Sequence, residues 1–238
     1  MKILPIKLDW DSNFYKKNIA KILINKNISD NELEFYKKNN SYDLTYVFSD
    51  NDISQILSLN PIDIKVVFSK EVSSKPFNST PNIDSYIGDV NNNLIELACI
   101  AGDHSRFKID KKLNHKFIKL YEKWLKKSIK REIANEVFTY SLNDKIVGFV
   151  TCKIIENTVE IGLVAVNNHH QGKGIGKKLL QRVNDYAVEN ELNRIDVATQ
   201  LHNFNACSFY TKNNFKINSK TYIYHLWNKE LNLENDSF

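Results

Sequence analysis

Residues 158–192 constrain the fold more than any other stretch of the chain. TVEIGLVAV (Thr158–Val166) is a strand-like apolar run. HHQGKGIGKK (His169–Lys178) then sets three of the chain's seven glycines at alternate positions, Gly172, Gly174 and Gly176. Leu179, Leu180, Val183, Tyr186, Ala187 and Leu192 follow at roughly helical spacing. Strand, glycine turn and helix in that order place unpaired amides and the positive end of a helix dipole at one point, which suits an anion, and a phosphate above all. Glycine has no Cβ, so it allows positive φ and close approach to the main chain. The P-loop pattern G-x-x-x-x-G-K-[ST] and the dinucleotide pattern G-x-G-x-x-G both require glycine where Lys177 stands. What remains is Gln171-x-x-Gly174-x-Gly176.

The surroundings extend the α/β pattern. IAKILIN, LTYVFS and IDIKVVFS read as strands, separated by SDNELEFYKKNN, with Ser29 or Asp30 as N-cap, and by the short helix DISQILSLN ended by Pro61. This predicts a small β-α-β-α-β unit over residues 1–80. Lys70–Asn82, rich in Ser, Pro, Asn and Lys, is the candidate linker. A larger unit over 81–230 opens with the strand IDSYIGDV and the helix NNLIELACIAG, closed by Gly102. LNHKFIKLYEKWLKKSIK is expected to be the longest helix. EVFTYSL and KIVGFVTCKII form a hairpin across NDK, and the glycine segment follows. RIDVATQ is a strand and NFNACSFYTKNN a short helix. FKINSKTYIYHLW is expected to give two strands broken at Asn218 and Ser219, with 231–238 as a mobile tail.

Composition narrows the function. A net charge of +5 suits anionic small molecules, and the lysines are spread along the chain rather than clustered, so nucleic acid is not expected. No apolar run reaches membrane length, and a cytoplasmic protein without membrane association is expected. Cys99, Cys152 and Cys207 suggest no disulfide frame, and no ligand spacing supports a metal.

The order of elements and Gln171-x-x-Gly174-x-Gly176 resemble the GNAT acyl-CoA N-acyltransferases. Asn203, Ala206, Tyr210 and Phe215 fall at the intervals of a second motif of that superfamily, with Asn214 in place of its usual glycine. Asn is among the few other residues that tolerate left-handed backbone. The resemblance implies a mixed, mostly antiparallel central sheet and acetyl-CoA as cosubstrate, with no metal. It implies that Gln171, Gly172, Lys173, Gly174, Ile175 and Gly176 hold the pyrophosphate. Leu163, Val164, Ala165 and Val166 would pair with pantetheine through their backbone, and Asn203, also a helix N-cap candidate, would touch the cofactor. Tyr210 would be the acid that protonates the departing thiolate, and Glu160 the base, acting through water. His170 is read mainly as part of the loop.

LDWDSNFYKKNIAKI, HSRFKID, LYEKWLKKS and the segment from VATQ to YIYHLW are similar to the TDP-fucosamine acetyltransferase type. That subgroup implies a dTDP-linked amino-deoxysugar as acceptor, in surface polysaccharide (lipopolysaccharide) synthesis. Arg106 and Lys108 are then candidates for the nucleotide diphosphate, and Phe107 or Tyr15 for stacking on the base or sugar; the alternative for Arg106 and Phe107 is anchoring a loop between two helices. The expected partners are the nucleotide sugar and acetyl-CoA, with a homodimer as the assembly considered. The competing readings are a GNAT enzyme acting on a protein N-terminus, lysine or polyamine, and a non-catalytic acyl-CoA-binding module.

Overall fold

The computed structural model describes residues 4–24, 29–73 and 82–228. In chain order the elements are β1 (Ile6–Lys7), α1 (Asp9–Tyr15), β2 (Ile19–Ile24), α2 (Asp30–Asn39), β3 (Leu44–Ser49), α3 (Ser54–Leu57), β4 (Asp63–Glu71) and β5 (Ile83–Ser85). They continue with α4 (Asn92–Ala101), α5 (Arg106–Ile109), α6 (Phe117–Ile129), β6 (Glu136–Leu142), β7 (Lys145–Ile155) and β8 (Thr158–Val166). The last are α7 (Ile175–Glu189), β9 (Arg194–Gln200), α8 (Phe204–Lys212) and β10 (Lys216–Trp227), with short 3₁₀ turns at Asn114–Lys116 and Asn168–His170. The chain divides into two compact units, one of Met1–Lys65 with Lys220–Phe238 and one of Val66–Ser219. The division passes through β4 and β10 rather than falling at a single break near residue 80. Most of the candidate linker and all of the 231–238 tail lie outside the described residues.

In the first unit the strand order is β1-β2-β3-β10. β2 and β3 are parallel, from Ile19↔Leu44 to Ile24↔Ser49, while β10 is antiparallel to β3, from Tyr222↔Ser49 to Trp227↔Leu44. The parallel pair needs a crossover, and α2 supplies it. Its start is fixed by a capping box: Ser29 accepts from the Glu32 amide, and the Glu32 carboxylate accepts from the Ser29 amide. Ile22, Leu33, Val47, Leu57 and Tyr224 form the core of this unit. The Tyr224 hydroxyl donates to Asp52 Oδ1 (2.9 Å) and accepts from the Ile53 amide (2.9 Å), so β10 is tied to the β3–α3 connection.

In the second unit the strand order is β4-β9-β8-β7-β6-β5. β8 and β9 are parallel, while β7–β8, β6–β7 and β5–β6 are antiparallel. This is the mixed, mostly antiparallel sheet expected, preceded by the smaller β-α-β-α-β unit. The β6–β7 turn is made by Asn143 and Asp144 alone, at φ +48° and +61°, and Lys145 already pairs with Leu142. Positive φ at both central residues matches the twist of a hairpin, and Asn and Asp tolerate it. α7 buries Leu179, Leu180, Val183 and Ala187 against Val150, Cys152, Ile195 and Val197. Full burial of each large aliphatic side chain contributes about 1.5–3 kcal/mol, enough to hold the start of α7 in place.

Several elements differ from the sequence reading. FKINSKTYIYHLW forms one strand, β10, because Asn218 and Ser219 keep extended backbone with no positive φ to turn the chain. The helix predicted over 113–130 is shortened by its 3₁₀ turn and by Lys116 at φ −108°, ψ 7°, so α6 has 13 residues and α7, with 15, is longer. Only Ile83–Ser85 of IDSYIGDV is strand. β1, α1 and α5 were not anticipated. α4 does end at Gly102. There a Cβ would stand 2.1 Å from Cζ of buried Tyr121. Gly102→Ala is therefore expected to displace Tyr121 and destabilise the protein by about 1–3 kcal/mol, read as a lowered urea midpoint.

Candidate functional site

The site begins where β8 parts from β9. Their pairing runs from Thr158↔Arg194 to Ile161↔Val197 and stops there, although β8 continues to Val166 and β9 to Gln200. On its other side β8 carries a bulge: Val150 pairs with Val164 and Cys152 with Ile161, so Gly162 and Leu163 together oppose Thr151. The Leu163 amide donates to Thr151 Oγ1 (2.8 Å), which satisfies the group that the bulge would leave unpaired. Ala165 pairs with Phe149, and the Asn167 amide donates to Val147 O (2.8 Å). Antiparallel alternation then turns the backbone of Val164 and Val166 to the side that β9 has left. The Gln171 side chain takes one of these groups, its Nε2 donating to Val166 O (3.1 Å) and to Asn168 Oδ1 (3.0 Å). Gln171 thus braces the loop against the end of β8.

The glycine segment follows. Gly172 and Gly174 have φ of +75° and +79°, which explains glycine at both positions. Gly176 is helical, and its requirement is steric: a Cβ there would lie 3.1 Å from Cζ of Phe209. Gly174 is the N-cap of α7 without a side-chain cap, and no acidic residue stands in the first turn. The first helical bond runs from the Lys178 amide to Gly174 O (3.1 Å). The amides of Ile175, Gly176 and Lys177 therefore have no carbonyl partner within the helix and present a positive dipole end.

α8 forms the facing wall. Asn203 Oδ1 accepts from the Ala206 amide (3.1 Å), so Asn203 is the N-cap of α8. Asn214 has φ +68°, the left-handed backbone expected where the motif usually has glycine. Tyr210 is 4% exposed, and its ring centroid lies 5.6, 5.4 and 5.8 Å from those of Phe68, Phe209 and Phe215. Burial, and after it the neighbouring Cys207, pushes the Tyr210 hydroxyl well above the usual phenol range. It is a neutral donor at physiological pH.

These parts line one cavity of about 550 Å³. Val164, Ala165, Val166, Gln171, Gly172, Gly174, Ile175, Gly176, Asn203 and Tyr210 border it, as do Lys177, Phe209 and His170. Leu163 and Lys173 do not. Glu160 is exposed in the paired part of β8, opposite Lys153 on β7, and is not part of the cavity wall. Arg106 and Lys108 are also outside the wall. The Arg106 guanidinium lies 4.5 Å over the Phe107 ring, and Lys108 Nζ is 3.7 Å from Asp103 Oδ1. Phe107 is buried with its ring edge-on to Trp124, and Tyr15 is buried in the first unit, so neither offers a free stacking face. Ile100, Asp103 and His104, which do border the cavity, were missed by the sequence reading. The only signal near them was HSRFKID, whose basic residues Arg106 and Lys108 lie outside the wall while its His104 lies on it. Among the described residues, no group of His, Cys, Asp and Glu stands together as a metal site, and no helix is long and apolar enough to cross a membrane.

Residues 103–215 match the profile of the Acetyltransferase (GNAT) family. This segment is similar to GNAT domains in sequence. The second unit has the corresponding fold, and its glycine turn and second motif are the ones that border the cavity. The full chain is similar in fold to a functionally unknown conserved protein from Staphylococcus epidermidis, with 14% identity, a TM-score of 0.62, and coverage of 92% of this chain and 88% of that one. It is also similar to a GNAT-family acetyltransferase from Colwellia psychrerythraea (14% identity, TM-score 0.52, 87% and 77% covered). A GCN5-related N-acetyltransferase from Sphaerobacter thermophilus matches comparably (11% identity, TM-score 0.52, 88% and 74% covered). Comparison with curated proteins gave no match.

Proposed function

We propose that the protein is an acetyl-CoA-dependent N-acetyltransferase whose acceptor is the amine of a nucleotide-linked amino-deoxysugar. The observation that carries the transferase reading is the meeting, in one cavity, of a free helix N-terminus, an unpaired strand edge and a buried tyrosine donor. The amides of Ile175, Gly176 and Lys177 suit the pyrophosphate of coenzyme A. The backbone of Val164 and Val166 suits the pantetheine amides, which would pair as an added strand. Tyr210, kept neutral by burial, suits protonation of the thiolate as it leaves. Burial raises all three thiols, Cys99, Cys152 and Cys207, which disfavours a thiolate nucleophile and supports direct transfer between the two substrates. The sugar acceptor is supported by the resemblance of HSRFKID, LYEKWLKKS and the C-terminal segment to the TDP-fucosamine acetyltransferase type.

The purified protein, given acetyl-CoA and a panel of nucleotide amino sugars, is expected to release free thiol with one sugar class. Thiol release with peptides or polyamines and none with any sugar would reassign the acceptor. Absence of coenzyme A binding in calorimetry would remove the transferase reading itself.

A further inference from the structure

We propose that His104 is the group that takes the proton from the acceptor ammonium. This rests on the transferase reading above and adds a catalytic residue to it. Attack on a thioester needs a nitrogen lone pair, and an ammonium has none. The titratable side chains bordering the cavity are Asp103, His104, His170, Lys177 and Tyr210. Tyr210 is a buried neutral phenol, and a lysine ammonium is a donor only. Asp103 has Lys108 Nζ 3.7 Å from its carboxylate. His170 belongs to the 3₁₀ turn that leads into the glycine segment, with Nδ1 3.4 Å from Asn167 Oδ1.

His104 is placed differently. It follows Gly102 just past the end of α4, and its side chain is exposed at the cavity wall. Its ring centroid lies 5.7 Å from that of His202, in the connection from β9 to α8. The two imidazoles thus approach from the α4 side and the α8 side, beyond the point where β8 and β9 separate. The charged and titratable groups around it are Asp103, its neighbour in sequence and paired with Lys108, His202 from the β9–α8 connection, and His170, Lys177 and Tyr210 on the wall of the same cavity. Imidazole is the side chain suited to exchange a proton near neutrality.

The ammonium gives one proton to the free nitrogen of His104, and the amine forms a C–N bond to the thioester carbonyl carbon. The C–S bond breaks, and the sulfur takes a proton from Tyr210. The remaining extra proton on the new amide nitrogen returns through water to Tyr210, and His104 releases its proton to solvent.

The test compares pH profiles of kcat/KM for the wild type, His104→Gln and Glu160→Gln, with coenzyme A affinity measured by calorimetry on each. His104→Gln is expected to lower kcat at neutral pH roughly 100-fold and to replace the acid limb by a rate that climbs with pH toward the pKa of the amine itself. Its coenzyme A affinity should remain, and free imidazole should restore part of the rate of His104→Gly. A merely structural role would produce neither the changed limb nor the rescue. A wild-type acid limb in His104→Gln, or its loss only in Glu160→Gln, overturns the assignment while leaving the transferase intact. A wild type that binds no coenzyme A overturns both.

Discussion

Gly174→Val is expected to weaken coenzyme A binding on the order of 100-fold, about 2.7 kcal/mol in binding free energy. Gly174 sits at φ +79°, ψ 0° as the N-cap of α7. A residue with a Cβ loses about 1–2 kcal/mol in that left-handed region, and a β-branched one is worse placed still. Nothing lies within 4 Å of the position a Cβ would take, so the free protein has no clash that would block folding. The damage falls elsewhere. Relaxing φ to negative values would swing the peptide planes on either side of Gly174 and turn the first-turn amides away from the diphosphate proposed to bind there. If φ is held, the isopropyl group stands in open space at a residue that borders the cavity. Calorimetry with coenzyme A reads the loss, and the thermal unfolding midpoint, which should fall only by the several degrees that the left-handed strain implies, separates it from misfolding. Gly174→Asn isolates the backbone contribution, because Asn accepts left-handed φ, and should lose less affinity. Wild-type affinity in the valine variant would mean that this turn does not hold the diphosphate.

The parts of the fold that the sequence disclosed are those fixed by short-range chemistry. Of the two N-cap candidates, Ser29 takes the place, with Glu32 completing a capping box; the NDK turn forms as a hairpin tightened to Asn143–Asp144; and Gly172 and Gly174 make a left-handed entry to an amphipathic helix. Asn214 belongs with them, since its left-handed backbone follows from what Asn tolerates. What stayed hidden depends on partners distant in sequence. The bulge at Gly162–Leu163 exists only relative to Thr151 on β7, and the parting of β8 from β9 only relative to Val197. Asn218–Ser219 carries turn-forming residues, but the backbone stays extended, and on either side of the pair β10 belongs to different units. α1 is 7 residues long and α5 is 4, too short to show a helical period, and neither has a side-chain cap to announce it. The cavity wall was legible along the glycine turn and α8, where each motif falls within one short stretch of chain. It was not legible at Ile100, Asp103 and His104, because a cavity wall contributed by the end of one helix leaves no spacing pattern.

Tyr210→Phe tests the chemistry rather than the cradle. It is expected to lower kcat by about 1000-fold, within the range ascribed to a positioned acid, with coenzyme A affinity unchanged. The ring is held by Phe68, Phe209 and Phe215 at centroid distances of 5.4–5.8 Å, and phenylalanine keeps all three contacts. The variant therefore removes one hydroxyl from a cavity of the same shape. Under the proposed mechanism affinity and turnover should separate, because the hydroxyl would act on the sulfur only as the C–S bond breaks. The pKa gives an independent readout. Burial raises the Tyr210 hydroxyl above its unfolded value of about 10. The stability linked to the neutral phenol is complete below pH of about 10 and is lost as pH rises from there through the folded pKa. In that alkaline window the wild type should lose unfolding free energy more steeply with pH than Tyr210→Phe, which has no proton to lose at this position. The fall in kcat, by contrast, should be present at neutral pH, where both proteins are fully stable. Wild-type turnover in Tyr210→Phe would take the hydroxyl out of the reaction and leave proton delivery to the sulfur to water or to another group bordering the cavity.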